Sequence, residues 1–169
     1  MNLTDERIVI VDENNLIVGE EWRSVMRKKH LIHRATFILV FNSANELFVQ
    51  KRSRLKDIYP GNYDLTSGGV VLWNELPEPS AKREIEEELG IKETALEFLF
   101  EFFYESKENK VWGSVFKCVY DGAIRLQEEE IEEGGFLPIN DVMDLIHENH
   151  VTPESIYVFE KFRNDYPKS

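Results

Sequence analysis

Glu84, Glu87 and Glu88 stand at i, i+3 and i+4 in the segment Arg83-Glu84-Ile85-Glu86-Glu87-Glu88-Leu89. On a helix this spacing collects three carboxylates on one arc. Ala81, Ile85 and Leu89 recur every fourth position and supply an apolar stripe beside that arc, which predicts a helix over Pro79–Leu89 packed on a sheet. Like charges at such spacing oppose the helix by a few tenths of a kcal/mol per pair (roughly 0.2–0.5). No lysine is interspersed in Glu84–Glu88, and Glu86 adds a fourth carboxylate on another side. A divalent cation would remove the repulsion, and hard carboxylate oxygens suit Mg²⁺, with Mn²⁺ as the alternative. A merely acidic, solvated face would carry the same residues, so the helix alone leaves both readings open.

The flanking residues narrow the choice. Gly69 is followed after five residues by Glu75, after seven more by Arg83-Glu84, and then by Ile85, Glu86, Glu87-Glu88, Leu89, Gly90 and Ile91. Gly69 lets the backbone approach a ligand or metal without a side chain. Arg83 lies beside the carboxylate arc, where its fork of donors can orient one glutamate and pair with Glu75. Gly90 is suited to end the helix in a left-handed conformation. This pattern resembles the Nudix box, Gly-x5-Glu-x7-Arg-Glu-U-x-Glu-Glu-x-Gly-U with U a bulky aliphatic, and residues 69–91 satisfy all nine specified positions.

The resemblance implies a metal-dependent hydrolase of substrates in which a diphosphate is linked to another moiety, such as a nucleoside diphosphate derivative. It implies Glu84, Glu87 and Glu88 as metal ligands, with the Gly69 carbonyl as a further one, and Arg83 as their organiser. Water would attack phosphorus while the cation neutralises the diphosphate oxygens. One of these carboxylates, or a glutamate from Glu128–Glu133 with Glu130 and Glu133 the best placed, would accept the water's proton. The family also implies a small-molecule diphosphate partner and makes a homodimer a reasonable expectation.

A second, less specific resemblance reaches beyond the box. His33-Arg34-Ala35, Phe41-Asn42-Ser43, Glu46-Leu47, Gln50, Arg52, Lys56 and Pro60-Gly61 are similar to the matching stretch of isopentenyl-diphosphate isomerases, over about residues 7–165. By that likeness Arg52 and Lys56, with Arg34 nearby, would hold the substrate diphosphate. The isomerase also needs a cysteine and a metal-binding histidine on the strand entering the box, and here those positions are Ser67 and Val70. The chain therefore resembles Nudix hydrolases that share the isomerase-like scaffold. Trp73, Trp112, Phe103 and Tyr104 are candidates to grip the substrate's other moiety by stacking, Trp73 first because it lies between Gly69 and Glu75.

The elements that must position these residues are readable in outline. Arg7–Val11 and Leu16–Val18 form an N-terminal hairpin around Asp12–Asn15, and residues 20–29 follow with helical spacing. Arg34–Phe41 and Leu47–Lys51 form a second hairpin. Tyr63–Leu72 reads as a strand interrupted at Gly68-Gly69. Leu96–Tyr104 and Val111–Tyr120 are long β runs, and Phe136-Leu137 ends a short one. Two helices close the chain, Asn140–Glu148 and Pro153–Asp165, the latter capped by Thr152. The expected fold is an α/β/α Nudix sandwich: a mixed sheet with helices on both faces and an N-terminal β-hairpin.

With 169 residues, 42% of them hydrophobic, the chain is expected to form one domain over residues 1–169. The lone cysteine, Cys118, excludes an intrachain disulfide. No apolar run approaches the ~20 residues that span a bilayer, and Met1–Ile8 lacks the order of a signal peptide, so a cytoplasmic protein with no membrane partner is expected. A net charge of −12 gives no global attraction for nucleic acid. That average hides a division. Residues 23–56 carry nine bases against one acid, and residues 75–108 eleven acids against four bases. An anionic ligand at a cationic end beside metal ions at an anionic one would suit this division, as would two ordinary solvated faces.

Overall fold

In the computed structural model, which describes residues 5–167, the elements in chain order are β1 (Arg7–Val11), β2 (Ile17–Trp22), α1 (Arg23–Lys29), β3 (His33–Phe41), β4 (Leu47–Arg52), β5 (Tyr63–Asp64), α2 (Pro77–Leu89), β6 (Glu97–Glu105), β7 (Lys110–Val119), β8 (Ile131–Leu137), α3 (Ile139–Glu148) and α4 (Pro153–Asp165). Residues 1–4, the start of the segment read for a leader, lie outside the described residues, as do residues 168–169.

The alternation of β3 builds the layers. Leu39 and Phe41 face one way and join Leu47, Val49 and Val115 in a core closed by Val142 of α3 and by Val158, Phe159 and Phe162 of α4. Ile38 and Val40 face the other way and join Phe48, Phe116 and Ile131 against Ala81, Ile85 and Leu89 of α2. The apolar stripe of α2 thus meets the sheet, leaving its carboxylate arc to one side. Helices cover both faces of a mixed sheet, the expected sandwich. Burying each large aliphatic of this kind stabilises by about 1.5–3 kcal/mol.

The sheet is mixed because β3 runs parallel to β7 in register from His33–Val111 to Phe41–Val119, while the β1–β2, β3–β4, β4–β8 and β6–β7 pairs are antiparallel. On its other edge β3 meets the segment leading into α2 through the bridges Ala35–Val70 and Ile38–Ser67. This segment is less regular than the expected strand: only Tyr63–Asp64 ladders, and Gly68-Gly69 breaks the remainder into single bridges. At Gly68, φ is +138° and a Cβ would stand 2.1 Å from the Thr36 carbonyl oxygen, so the break requires glycine.

Several boundaries differ from the sequence reading, most of them by one residue. Glu20–Trp22 extend β2 by pairing with Arg7–Val9, so α1 starts only at Arg23. Helix α2 begins at Pro77, two residues early, because a proline fits the first helical position. Thr152 does occupy the N-cap of α4, yet its hydroxyl donates to Ser155 Oγ at 2.6 Å and accepts from no backbone N–H of the helix. At the other end of α2, Gly90 takes φ +69°, and the Gly90 and Ile91 amides donate back to Glu86 and Ile85, a left-handed C-terminal cap.

Candidate active site

Helix α2 and the turn before it hold the acidic half of the site. A Cβ on Gly69 would lie 2.6 Å from Glu84 Oε1, so the absent side chain is what admits this carboxylate to the backbone. Arg83 grips Glu75 with both arms of its fork, Nε to Oε2 at 2.8 Å and Nη2 to Oε1 at 2.9 Å. Its remaining nitrogen, Nη1, donates to Glu84 Oε1 at 3.0 Å and Glu87 Oε2 at 3.3 Å. The expected pairing of Arg83 with Glu75 and with a glutamate of the arc is therefore present. Glu87 is half exposed, whereas Glu88 is 4% exposed and faces Gln50 of β4, whose Nε2 donates to Glu88 Oε2 at 3.3 Å. Gln50 is oriented in turn by Ser67, whose hydroxyl donates to Gln50 Oε1 at 3.1 Å.

This half is electrostatically incomplete. Burial raises the Glu88 carboxyl above the ordinary carboxylate range and neighbouring Glu84 raises it further, against smaller opposing effects of Lys56 and Gln50. Burial raises Glu84 also, with Arg83 opposing and Glu87 reinforcing. Glu84 thus has only a share of a guanidinium already bound twice to Glu75, and Glu88 has only the neutral Gln50 amide within bonding distance.

Opposite them, Lys56 pairs with Glu130, and both bear on Glu88 electrostatically. Glu133, the other outside glutamate, accepts from the Tyr63 hydroxyl at 3.2 Å instead. Lys56 and Gly69 also line a cleft of about 80 Å³ bounded by α1, the 52–66 segment and the start of α4. Arg52 lines it too, with Nε and Nη2 donating to the Ile58 carbonyl and Nη1 reaching Asp64 at 3.4 Å.

Other expected residues are placed elsewhere. Arg34 donates to the Asn15 side chain and carbonyl at 2.8 and 2.7 Å, so it ties the β1–β2 turn and does not line the cleft. The pleat of β3 turns it to the face opposite His33 and Ala35. Trp73 is 37% exposed and does not line the cleft either; nor do Phe103 and Trp112, which pack on each other at 5.6 Å, nor Tyr104, which packs on Tyr157. The Gly69 carbonyl accepts from the Thr36 amide at 2.9 Å and, more weakly, from the Thr36 hydroxyl at 3.4 Å.

The sequence reading missed much of the cleft wall. Arg23 and Arg27 converge on Asp57, with Nε–Oδ2 distances of 3.0 and 3.2 Å. Burial alone would raise the Asp57 carboxyl, yet the two guanidiniums hold it well below the carboxylate range. His33 is fully buried, and burial with nearby Arg27 pushes its imidazole down to about 3. Tyr59, Asn109 and Glu154 complete the wall.

Among the described residues no three His, Cys, Asp or Glu side chains converge as a ready-made metal cage. The donor set nevertheless fits a cation that takes one or two carboxylates and keeps its waters: Glu84 and Glu88 are buried, mutually repelling and under-compensated, with the Gly69 carbonyl beside Glu84. Cys118 is buried in the sheet core and belongs to no such set.

Fold and site together describe an α/β/α protein organised around an acidic loop–helix–loop. The chain belongs to the Nudix family: a NUDIX domain model matches residues 31–159. It is 46% identical over 132 residues to an uncharacterized Nudix hydrolase of Pseudomonas aeruginosa, PA4841, covering 78% of each chain. It is 39% identical over 151 residues to the uncharacterized Nudix hydrolase YfcD of Escherichia coli, covering 89% of this chain and 83% of that one. Among solved structures, DR0079 from Deinococcus radiodurans superposes with a TM-score of 0.79 at 22% identity, over 95% of this chain and 99% of that one. The protein is a hydrolase of this family, whose members in general cleave pyrophosphate linkages with divalent metal ions. No helix among the described residues is long and apolar enough to cross a membrane.

Proposed function

We propose that the chain hydrolyses the diphosphate bond of a nucleoside diphosphate derivative or a similar small diphosphate, with Mg²⁺ or Mn²⁺ as cofactor. The observation that carries this reading is the pair of buried, under-compensated carboxylates, Glu84 and Glu88, set beside Gly69 at the mouth of a cleft that carries Lys56 and Arg52. Glu84, Glu87 and Glu88 would hold the cation, with the Gly69 carbonyl, whose long bond from the Thr36 hydroxyl would give way to it. When bound, the cation supplies charge neutralisation of the diphosphate and activation of water.

The chain's own residues divide the remaining work. Lys56 and Arg52 hold the diphosphate oxygens, Lys56 as a compact charge and Arg52 through Nη1. Arg83 keeps Glu84 and Glu87 oriented through its own anchor on Glu75. Glu130 stands across from Glu88 and is a suitable acceptor for the proton of the attacking water, with Glu87 as the alternative within α2. Binding of an anion beside Lys56 would release Glu130 from its ion pair, which frees the base when substrate arrives.

The isomerase-like likeness is, in this reading, a shared scaffold. Ser67 donates to Gln50 as a positioning group and Val70 is packed in the small core with Ile8, Ile10 and Met26, so neither supplies a thiol or a metal ligand. The test is turnover of a panel of nucleotide sugars, dinucleotides and prenyl diphosphates with Mg²⁺. New phosphate monoesters support the hydrolase. Double-bond migration without phosphate release, or binding without any turnover, contradicts it.

A further inference from the structure

The diphosphate sits, in the reading above, between α2 and Lys56, and the cleft continues past it. Its far wall is made by Glu154, Tyr59, Asn109, Asp64 and Thr152, brought together from four separated segments. Glu154, in the first turn of α4, is 3% exposed, and Oε1 accepts from the Tyr59 hydroxyl at 3.0 Å and from Asn109 Nδ2 at 3.2 Å. Both partners are neutral. Burial raises its carboxyl above the ordinary range, and Asp64 adds to the rise. Tyr59 reaches Glu154 from φ +49°, a conformation a bulky residue before proline rarely adopts, so the contact is kept against a backbone preference.

Elimination identifies what this wall would accept. An alkyl or prenyl chain would strip water from Glu154, Asp64 and Thr152 and offer no hydrogen bonds in return. A second anionic group would meet the two carboxylates, and a cationic group would meet Arg27 and Arg52. A nucleobase needs an open aromatic face, but Tyr59 is tied by its hydroxyl and Phe37 is packed on Phe102 at 5.2 Å. A group of a few hydroxyls satisfies the wall: it donates to the carboxylates and accepts from Arg27, which holds Asn109 Oδ1 at 3.0 Å through Nη1 alone. The His33 ring, whose Nδ1 lies 3.4 Å from the Leu31 carbonyl, stays neutral and adds an acceptor at Nε2. The cleft volume of about 80 Å³ limits this group to a small one.

We propose that the Glu154–Tyr59–Asn109 wall is a specificity subsite for a small uncharged polyol, of glycerol to pentose size, attached to the substrate's diphosphate. The inference rests on the diphosphate reading of the site, and the test separates the two. Two nucleoside diphosphates are compared, one esterified to a pentose and the other to an alkyl chain of similar length. Binding is measured by calorimetry without metal, and hydrolysis with Mg²⁺. Wild type should favour the pentose compound by ~10–100-fold in Kd and in kcat/KM, the range expected when hydroxyl partners are left unpaired by the analogue. Glu154→Gln and Asn109→Ala should collapse that ratio toward unity, mainly through KM. Tyr59→Phe removes one hydroxyl and keeps the ring; it should reduce the ratio severalfold and serves if the buried Glu154 variant does not fold. A wild-type ratio near one, or a ratio that survives in Asn109→Ala and Tyr59→Phe, overturns the subsite. Selective binding of the pentose compound without cleavage keeps the subsite and overturns the hydrolytic reading.

Discussion

The two sides of the cleft handle buried charge in opposite ways. On the basic side, Arg23 and Arg27 both pair with the part-exposed Asp57 and Arg23 also pairs with Glu6, so two guanidiniums meet two carboxylates and hold the Asp57 carboxyl far below its ordinary range. On the acidic side, Glu84 and Glu88 are withdrawn further from solvent, but Glu84 has only a share of Arg83 and Glu88 only the neutral Gln50 amide within bonding distance, and both are pushed above theirs. A buried charge without a partner is costly, and natural sites keep such a group where a ligand will complete it. The basic side is thus a finished scaffold that fixes the shape of the cleft. In the proposed reading a cation finishes the acidic side, and this contrast can be broken experimentally from either side.

The largest effect should come from the carboxylates. Glu87→Gln and Glu88→Gln should each lower turnover by at least ~10²-fold while the fold is kept, read by initial rates and circular dichroism. Full activity in either variant would remove that residue from the site. Next comes the coupling of stability to pH and metal. Glu84 and Glu88 bind protons more tightly folded than unfolded, so the stability they contribute is present below about 4.5 and is lost as pH rises above it. Melting of the metal-free protein should show this decline, and Mg²⁺ at ~100 times its Kd should restore about 2.7 kcal/mol, more effectively at high pH. Glu88→Gln should flatten the decline.

Lys56→Ala and Arg52→Ala should raise KM by ~10-fold with a smaller change in kcat, as expected for uniform binding of a phosphate. An unchanged KM for every cleaved substrate would remove them from the diphosphate site. On the scaffold side, His33 has the opposite linkage. Its folded value near 3 lies below the unfolded 6.5, so stability should fall as pH drops from about 6.5 toward 3. His33→Gln should weaken that acid limb of the melting profile. The smallest effect belongs to Arg34→Ala, which should destabilise by about 1 kcal/mol through loss of the Asn15 contacts and leave KM unchanged.

How far the sequence revealed these features follows from how local each one is. The arc of α2, its apolar stripe and the cap at Gly90 all lie within fourteen residues and obey a single period, so spacing alone exposed them. The layers were legible for the same reason, since the β runs announced themselves by composition. The cleft wall was not, because its contacts join residues far apart in sequence: Arg23 with Asp57 across 34 positions, Arg27 with Asn109 across 82, and Tyr59 with Glu154 across 95. Nothing local marks Glu154 as buried, and only folding brings it to Tyr59. Arg34 shows the complementary error. Its charge and its place in the isomerase-like stretch suited a phosphate ligand, but strand pleat, invisible to a charge count, turned it to Asn15. Trp73 suited stacking by its position in the loop, and the loop's course past Arg7, whose carbonyl accepts from the Trp73 amide, carries it away from the cleft.

Soaking crystals with Mn²⁺ and a non-hydrolysable diphosphate, and recording anomalous scattering, puts the unpaired carboxylates to the most direct test. The expected result is a metal peak at Glu84 and Glu88, with the diphosphate reaching Lys56. Absence of any peak there, with Glu84 still bound to Arg83 and the diphosphate lodged elsewhere, would contradict it.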